Sequence, residues 1–354
     1  MNRYTKLLIW YKTQSYNFPW RNNKNPYNIW ISEIMLQQTQ VQIVIPYYTK
    51  WIDKYPTIDQ LNNTSIDKLL LLWQGLGYYK RVHNILSTAN IVCLKYNNHL
   101  PESYEKLVAL PGIGDYTASM ILSISFNQNT NIPIDGNIKR IMSRLYMIPA
   151  KKQTMKNYKE YAENYIDPQN PGDSIQALMD IGREICKPKL PICIQCPLKF
   201  CCKSYKKNLV ELYPHQGAAK IIPEYNVVVG IIWKHNKFII SKRYKDKLLG
   251  DLWELPGGKI KNHETKLECL KREIKEELDI AISSEKEIGS IKHQYSHMKL
   301  NITLFHCEYD QGEAKPLASQ EIRWIDYSEI NLFAFPRATH KLFKLINKKN
   351  EYNL

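Results

Sequence analysis

The sequence contains no long hydrophobic run. No stretch approaches the roughly 20 apolar residues that span a bilayer, and the apolar run at residues 7–11 is too short for the core of a signal peptide. Internal repeats and low-complexity segments are absent as well. From these absences we do not expect a protein with membrane-spanning helices, a secreted protein or a repeat protein. We expect a soluble, cytoplasmic chain whose 354 residues form two or three domains.

Acidic residues are scarce relative to basic ones, and the formal net charge is +15. Residues 1–205 carry 24 Lys and Arg against 14 Asp and Glu, whereas the remainder carries 25 against 20. Such a balance favours a polyanionic partner. A general drift of the composition toward Lys, Asn, Ile and Tyr would give the same excess of basic residues.

Residues 110–117, Leu-Pro-Gly-Ile-Gly-Asp-Tyr-Thr, predict a tight hairpin between two helices. Gly112 and Gly114 permit positive φ and close backbone approach. A glycine-rich turn that leads into a helix N-terminus presents free N–H groups, which suit a phosphate. Asp135 follows on a short loop or at a helix start. An ordinary helix hairpin with a capping aspartate has the same pattern.

Residues 29–40 predict a helix with Glu33 near its start and a polar patch at residues 37–40. A carboxylate in a helix is usually solvated, but burial beside a pocket would raise its pKa and make it a proton donor. Residues 75–81 combine flexible glycines, two tyrosines and two cations, which suits base stacking and phosphate contact. Packing residues in a loop would look the same.

Five of the eight cysteines lie between residues 186 and 202. In a reducing compartment this density indicates a metal or iron–sulfur centre rather than disulfides. Cys186, Cys193, Cys196 and Cys202 are separated by six, two and five residues, which fits zinc or a [4Fe–4S] cluster. The uneven spacing lacks the paired Cys-x-x-Cys knuckles of a zinc ribbon. Cys201 is adjacent to the expected fourth ligand, Cys202, and is expected to be a bystander.

The pattern changes after a linker predicted at residues 205–224. Strands are predicted at 225–233, 237–242, 300–309 and 322–325, a turn at 255–258, and helices at 264–278 and near 339–347. In the first of these helices Glu273, Glu276 and Glu277 share one face. Three clustered carboxylates repel one another unless a divalent cation such as Mg²⁺ neutralises them. A solvated face, supported by Arg272 and Lys275, is the alternative.

Over residues 5–205 these motifs together resemble the MutY-type adenine DNA glycosylases of the helix-hairpin-helix superfamily. The resemblance implies that Glu33 protonates a flipped adenine and that Asp135 stabilises the developing oxocarbenium ion. These roles are chemically consistent, since neutral adenine is a poor leaving group and a cationic sugar needs an ionised neighbour. Tyr116 and Asn137 are implied to assist them. The motifs stand at residues 18–21, 32–40, 75–79, 110–117 and 135–137 and at the four cysteines.

The same resemblance implies a [4Fe–4S] cluster on the four cysteines and a duplex DNA substrate with adenine opposite 8-oxoguanine or guanine. The enzyme is expected to be a monomer associated with the nucleoid. Residues expected to line the adenine pocket are Trp20 and Arg21. Residues expected to contact DNA or to fill the gap left by the flipped nucleotide are Gln37, Gln38, Thr39, Tyr78, Gly112 and Gly114.

Endonuclease III-type relatives carry a nucleophilic lysine at the hairpin position that Tyr116 occupies here. Without an amine at this position, Schiff-base strand cleavage is not expected. This single position therefore favours a monofunctional glycosylase.

The C-terminal part resembles a Nudix domain. Its signature, which lesion-reading domains of MutY-type proteins usually lose, is nearly intact, although Asp279 replaces a glycine. The motif Tyr295-Ser296-His297 resembles the Phe-Ser-His motif that reads 8-oxoguanine. Thr339 stands where MutT-type nucleotide hydrolases carry a base-contacting asparagine. The signature residues are Gly258, Glu264, Arg272, Glu273, Ile274, Glu276 and Glu277.

The expected architecture is an all-α helix-hairpin-helix glycosylase region over residues 1–204, with the cysteine loop at 186–202. The linker at 205–224 and an α/β (α+β) Nudix domain over 225–354 follow. The expected activity is removal of adenine opposite 8-oxoguanine, with lesion reading and Mg²⁺-dependent nucleotide hydrolysis by the Nudix domain. The alternatives are a nucleotide pyrophosphohydrolase with a DNA-binding module and a purely structural DNA-binding protein.

Overall fold

The computed structural model describes residues 2–14, 16–129, 131–215 and 221–351, with side chains up to residue 346. The chain divides into two compact units. The first comprises Met1–Asn63 and Asn84–Ala218, and the second comprises Thr64–His83 and Ala219–Leu354. Nothing in the sequence patterning singles out Thr64–His83 as part of the second unit. Part of the predicted linker, residues 216–220, lies outside the described residues.

Up to residue 206 the chain is helical. Many helices begin at a polar cap, and Thr57 and Ser65 accept hydrogen bonds from the backbone N–H groups of Gln60 and Lys68. The α-helices are α1 Arg3–Thr13, α2 Pro26–Leu36, α3 Val41–Lys54, α4 Ile58–Asn62, α5 Ile66–Trp73, α6 Lys80–Lys95, α7 Tyr104–Val108, α8 Asp115–Ser125, α9 Gly136–Tyr146, α10 Met155–Glu163, α11 Pro171–Asp180 and α12 Lys203–Lys206.

Helix α2 lies at the centre of the first unit, packed against α3 and α8. Its side chains Trp30, Ile31 and Met35 are all at most 1% exposed. Asn25 caps its start, and Pro26 occupies the first helical position. The helix ends at Leu36, four residues before the predicted end, because the chain turns sharply at Gln38, where φ is +55°.

The hairpin between α7 and α8 forms as predicted. Gly112 adopts φ +77°, and a Cβ there would lie 2.7 Å from the Cβ of Asn84, so this position requires glycine. Gly114 differs from the expectation: its φ is −94° in extended backbone at the N-terminus of α8, so it makes no use of positive φ. The Thr88 hydroxyl donates a 2.8 Å hydrogen bond to the Pro111 carbonyl and supports the turn.

In the second unit a mixed sheet has the strand order β3-β2-β1-β6-β5, with β4 added beside β1 and β7 beside β2. Strands β1 and β6 are parallel, and the other pairs are antiparallel. The strands are β1 Glu224–Lys234, β2 Lys237–Lys242, β3 Trp253–Glu254, β4 Gly257–Lys259, β5 Ile280–Gln294, β6 Lys299–Gly312 and β7 Glu321–Asp326, and the helices are α13 Lys266–Leu278 and α14 Arg337–Glu351.

Each face of this sheet carries one helix. Ile231 belongs to the apolar layer that contains Leu342 of α14, whereas its neighbour Ile232 belongs to the layer that contains Leu270 and Ile274 of α13. This opposite placement follows from the two-residue period of a strand. The second unit is therefore an α/β layer structure with two cores, as the sequence predicts.

Two details of the second unit differ from the prediction. The turn predicted at residues 255–258 is in part a strand, because β4 starts at Gly257 and pairs with β1. The long strand β5 was not predicted, because its Lys, Glu and Ser residues hide the alternation that identifies a half-buried strand. Among the described residues, no helix is long and apolar enough to cross a membrane.

Candidate active site

Glu33 is a carboxylic acid enclosed by the first unit. It lies on α2, 6% exposed, between side chains that form the centre of the core. Burial raises its pKa to about 7, against the opposing effects of a hydrogen bond with Tyr116 and the positive charge of Arg21. Near neutral pH this carboxyl therefore holds its proton part of the time and can give it up.

Asp135 is the N-cap of α9, as predicted for a helix start. One carboxylate oxygen accepts from the Ile138 N–H at 2.7 Å, and the other accepts from the Asn137 side-chain amide at 2.8 Å. Burial raises the pKa of Asp135, whereas these hydrogen bonds and the charge of Arg140 oppose the rise. Hydrogen-bond donors directed at both oxygens favour the ionised form of Asp135. The surroundings of the Asp135 and Glu33 carboxyls therefore differ.

Tyr116 stands in the first turn of α8 and hydrogen bonds to Glu33. Burial and the neighbouring Glu33 and Asp135 hold the pKa of this phenol well above its usual range. The hydroxyl therefore keeps its proton and donates to the Glu33 carboxyl. The position offers a neutral donor and no amine.

These groups line one cavity of about 500 Å³, a volume typical of small-molecule sites. Trp20 stacks on Phe18 with ring centroids 5.4 Å apart. Arg21 is held by a bidentate pair with Asp180 at 2.8 and 3.0 Å. Residues lining the cavity include Phe18, Trp20, Arg21, Glu33, Thr39, Tyr116, Asp135, Asn137, Gln176, Arg183 and Glu184.

Arg183 and Glu184 reach this cavity from a π-helical turn, Ile181–Ile185, that continues α11. The turn packs so closely on Asn137 that a Cβ at Gly182 would lie 2.5 Å from the Asn137 Cβ. The sequence analysis missed both charged residues. The only signal available was a charged pair directly after a glycine in an apolar segment.

Arg140 connects Asn137, which lines the large cavity, to the cysteine loop. Its guanidinium donates to the Asn137 side-chain oxygen at 2.8 Å, to the Gly182 carbonyl at 2.7 Å and to the Cys186 carbonyl at 2.6 Å. Asn137 in turn donates to Asp135. A continuous hydrogen-bonded path therefore runs from Asp135 to the first cysteine of the loop.

Cys186, Cys193, Cys196 and Cys202 line a second, apolar-walled cavity of about 30 Å³. Cys201 does not line it, because its thiol faces the Leu198 carbonyl at 3.3 Å and the Tyr165 hydroxyl at 3.7 Å. The four expected ligands therefore line one cavity, and Cys201 lies outside its lining. Within the described ranges no three His, Cys, Asp or Glu side chains already stand at the spacing of a single-ion site.

The donor set of this cavity fits an iron–sulfur cluster chemically, since thiolates surrounded by apolar walls are its usual ligands. Arg144 supports the loop: its guanidinium lies 3.3 Å from the Cys186 sulfur and donates to the Lys187 and Pro188 carbonyls. Hydrogen bonds to a ligating sulfur are the usual outer support of such a site.

The predicted DNA-contacting residues fall in both units. In the first, Gln37 donates to the Thr117 hydroxyl at 3.4 Å, and Gln38 and Thr39 form the turn after α2. In the second, Tyr78 is 44% exposed, with a φ of +48°. These placements keep the residues available to a ligand.

In the second unit, Tyr295, Ser296 and His297 form the tip of the β5–β6 hairpin, closed by a 2.8 Å bond from the Tyr295 N–H to the Met298 carbonyl. Ser296 and His297 are exposed. Tyr295 is partly buried and packs edge-on against His293 at 4.6 Å.

The three predicted Mg²⁺ ligands share the α13 face, but their surroundings differ. Glu277 is partly buried, accepts from the Gly257 N–H at 3.1 Å, and has its pKa raised to about 8 by burial and by neighbouring carboxylates. Glu273 and Glu276 instead pair with Arg272 at 2.7 and 3.1 Å. Asp279 is the C-cap of α13 with φ +60°, a left-handed conformation that a glycine would adopt more easily.

Comparison with known proteins agrees with both halves of the chain. A family model described as HhH-GPD superfamily base excision DNA repair protein matches residues 31–165, and a NUDIX domain model matches 228–345. An adenine DNA glycosylase from Buchnera aphidicola subsp. Schizaphis graminum is 38% identical over 96% of this chain and 97% of that protein. The chain belongs to the adenine DNA glycosylase family. Its Mus musculus counterpart is 28% identical over 96% of this chain and 77% of the mouse protein.

As an adenine DNA glycosylase, the protein is a hydrolase that removes adenine from DNA by cleaving an N-glycosyl bond in base excision repair. The prediction of a MutY-type glycosylase with a C-terminal Nudix domain is confirmed. A chain that is mainly a nucleotide pyrophosphohydrolase is not supported, because the Buchnera aphidicola and Mus musculus relatives, which align with 96% of this chain, are adenine DNA glycosylases.

Solved structures share the glycosylase fold. A thermostable thymine-DNA glycosylase has a TM-score of 0.53 at 26% identity, over 57% of this chain and 94% of that one. An endonuclease III in a non-covalent DNA complex has a TM-score of 0.50 at 21% identity, over 58% and 94%. The superfamily usually carries an iron–sulfur cluster, which agrees with the cysteine cavity of this glycosylase.

Proposed function

We propose that this glycosylase excises adenine paired with 8-oxoguanine, or with guanine, and that Glu33 and Asp135 perform the chemistry. The carrying observation is that two carboxyls with different hydrogen bonding face one cavity of about 500 Å³. We place the catalytic region at residues 1–204, the linker at 205–224 and the Nudix domain at 225–354.

In the proposed mechanism the Glu33 carboxyl gives its proton to a ring nitrogen of the flipped adenine, and the glycosidic electron pair leaves with the base. The sugar becomes an oxocarbenium ion, which the Asp135 carboxylate stabilises. Water then adds to the sugar carbon and returns a proton to Glu33. Tyr116 orients Glu33, and Asn137 orients Asp135. Because Tyr116 is no amine, the enzyme is monofunctional, and borohydride should trap little covalent product.

The remaining walls suit a purine. Trp20 with Phe18 offers a flat apolar surface, and Arg21 is fixed by Asp180. Glu184 adds an acceptor for an exocyclic amine, a feature that distinguishes adenine from bases that present a carbonyl there.

We propose that Cys186, Cys193, Cys196 and Cys202 hold a [4Fe–4S] cluster. When bound, the cluster would supply iron–thiolate bonds to these four residues of the loop. The Cys186 carbonyl then keeps Arg140, and through it Asn137, in place. The path described above makes the cysteine loop part of the support of Asp135.

The enzyme is proposed to act as a monomer on duplex DNA at the nucleoid. Free N–H groups of the hairpin at Gly112 and Gly114 hold a phosphate. Residues proposed to fill the vacated stack or to line its edge are Gln37, Gln38, Thr39 and Tyr78. The hairpin tip at residues 295–297 reads the 8-oxoguanine opposite.

Single-turnover excision from matched duplexes tests this proposal. Adenine should leave fastest opposite 8-oxoguanine, more slowly opposite guanine and negligibly opposite thymine. His297→Ala should reduce the difference between the excision rates opposite 8-oxoguanine and opposite guanine, without abolishing excision opposite guanine. Equal rates opposite 8-oxoguanine and guanine in the wild type would remove the lesion-reading role.

The single-turnover rate should depend on pH through both carboxyls. Since the pKa of Glu33 is about 7, its acid form is present below that pH and is lost above it, so excision should slow toward alkaline pH. Protonation of Asp135 should slow excision at the acid end. In Glu33→Gln the residual excision rate should no longer fall toward alkaline pH. An unchanged alkaline decline in that variant would assign it to another group.

The Nudix domain is further proposed to hydrolyse a nucleoside triphosphate with Mg²⁺ held by Glu273, Glu276 and Glu277. When bound, the ion would neutralise the phosphates during attack by water. Because Glu277 has a raised pKa, Mg²⁺ must displace its proton, so turnover should increase with pH.

Hydrolysis is tested with the full chain, 8-oxo-dGTP and Mg²⁺ by measuring pyrophosphate. Glu276→Gln should lower turnover at least about tenfold, whereas Glu313→Gln, at an 87% exposed side chain, should not. A nucleotide panel without turnover, or full turnover in Glu276→Gln, would leave lesion reading as the role of this domain.

A further inference from the structure

The segment Thr64–His83 belongs to the second unit although the HhH-GPD model spans it. Three side-chain contacts attach it there. Near its start Asp67 pairs with Lys242 of β2 at 2.7 Å, and at its end His83 lies 3.6 Å from Asp251. Between these two contacts stands Gln74, at the C-terminus of α5. The segment is therefore attached at its start, its middle and its end.

The Gln74 amide makes two hydrogen bonds to the C-terminal part of the unit. Its side-chain oxygen accepts from the Phe335 N–H at 3.2 Å, and its amide nitrogen donates to Nε2 of His340 on α14. An amide NH₂ has no acceptor, so the His340 Nε2 must accept and the ring must be neutral. Burial lowers the pKa of His340, which is consistent with a neutral ring.

Gln74 is the first residue of the loop that carries Tyr78. Gly75 follows with φ +96° and Gly77 with φ +79°. Internal bonds hold the loop in shape: the Trp73 indole N–H donates to the Gly77 carbonyl at 3.0 Å, and the Gly75 N–H donates to the Tyr79 hydroxyl at 3.1 Å. The tyrosine loop, residues 74–79, is thus stiff and attached at its first residue.

The tyrosine loop and the strand that leads to the hairpin tip at residues 295–297 are attached to the same helix, α14. Gln74 bonds to His340, and the next residue, Lys341, donates to the Lys292 carbonyl of β5 at 3.1 Å. Tyr79 is close enough to Tyr295 for its phenol to contribute to the raised pKa of Tyr295. Both of these tyrosines are shielded, whereas Tyr78, Ser296 and His297 are exposed. The second unit therefore carries an exposed aromatic ring and two exposed polar side chains on neighbouring segments.

We propose that Gln74 is a positioning residue for opposite-base recognition. Its two hydrogen bonds set where Tyr78 stands relative to Ser296 and His297, so that ring stacking and hydrogen bonding act on the same nucleotide. Tyr78 supplies the stacking surface, and the hairpin supplies the polar contacts. This inference rests on the proposed reading of 8-oxoguanine by the hairpin and adds to it the residue that aligns both elements.

The test measures the ratio of single-turnover excision rates opposite 8-oxoguanine and opposite guanine. Gln74→Ala and Gln74→Leu should lower this ratio roughly tenfold, because each removes both hydrogen bonds. Gln74→Glu keeps the acceptor for Phe335 and can accept from His340, so it should retain most of the ratio. Asp67→Asn, at a 57% exposed side chain, keeps an oxygen that can accept from Lys242, so the attachment persists and the ratio should be unchanged.

Hydrogen exchange supplies a readout independent of catalysis. The Phe335 amide should exchange faster in Gln74→Ala and Gln74→Leu than in the wild type and Gln74→Glu. If Gln74→Ala keeps the wild-type preference for 8-oxoguanine, this inference is overturned, whereas the lesion-reading proposal is unaffected. An equal decrease in the excision rates opposite 8-oxoguanine and opposite guanine would also overturn it, because it would indicate that Gln74 has a general role in folding. A wild type without preference would overturn the lesion-reading proposal and, with it, this inference.

Discussion

Glu33→Gln should reduce single-turnover adenine excision by about two to four orders of magnitude, the usual contribution of a general acid. Glutamine retains the size of the side chain and an acceptor for the Tyr116 hydroxyl, but it has no acidic proton. Because the change removes a buried carboxyl whose pKa is raised, the fold should be at least as stable as the wild type. Duplex affinity should be nearly unchanged.

Asp135→Asn should lower excision to a similar degree for a different reason. Asparagine caps helices as well as aspartate does, so the start of α9 should survive. What is lost is the negative charge beside the sugar, which acts mainly in the transition state. The rate should therefore fall while substrate binding is retained.

Two exposed acids provide matched controls for these variants. Glu160→Gln on α10 and Asp53→Asn on α3 make the same chemical changes outside the cavity, and both should retain the wild-type rate. Thermal unfolding of all four variants separates catalytic loss from misfolding. Wild-type excision in Glu33→Gln or Asp135→Asn would contradict the assignment of that residue.

The second large effect is expected at the cysteine loop. Cys202→Ser should lower the iron content to less than about a tenth of the wild-type value, remove the brown colour and destabilise the fold, because cluster binding and folding are coupled. Excision should fall as well, since the Cys186 carbonyl that holds Arg140 belongs to the same loop. Iron analysis, visible absorption and thermal unfolding measure these effects.

Cys201→Ser is the matched control, because the neighbouring thiol faces Tyr165 and the Leu198 carbonyl rather than the cavity. It should keep iron, colour and activity. If Cys201→Ser loses the cluster while Cys202→Ser keeps it, the ligand assignment is wrong. Fully active protein that contains zinc and no iron would contradict the iron–sulfur proposal.

The sequence by itself predicted the features that depend on neighbouring residues. The hairpin at residues 110–117 and the capping role of Asp135 follow from local turn and helix chemistry. The spacing of the cysteines indicates a metal or iron–sulfur loop, and the family resemblance implies which four are the ligands. The two layers of the second unit follow from strands and helices with clear apolar periods. Such signals are local because hydrogen bonds and side-chain directions repeat over a few residues.

Only the tertiary structure decided the properties that depend on surroundings. The raised pKa of Glu33 comes from packing by several distant helices, and Arg183 and Glu184 reach the cavity because α11 continues as a π-helical turn. The grouping of Thr64–His83 with the C-terminal residues depends on contacts more than 150 residues apart, such as Lys242 to Asp67. Burial and long-range pairing are sums over the whole fold, so no local pattern of residues encodes them.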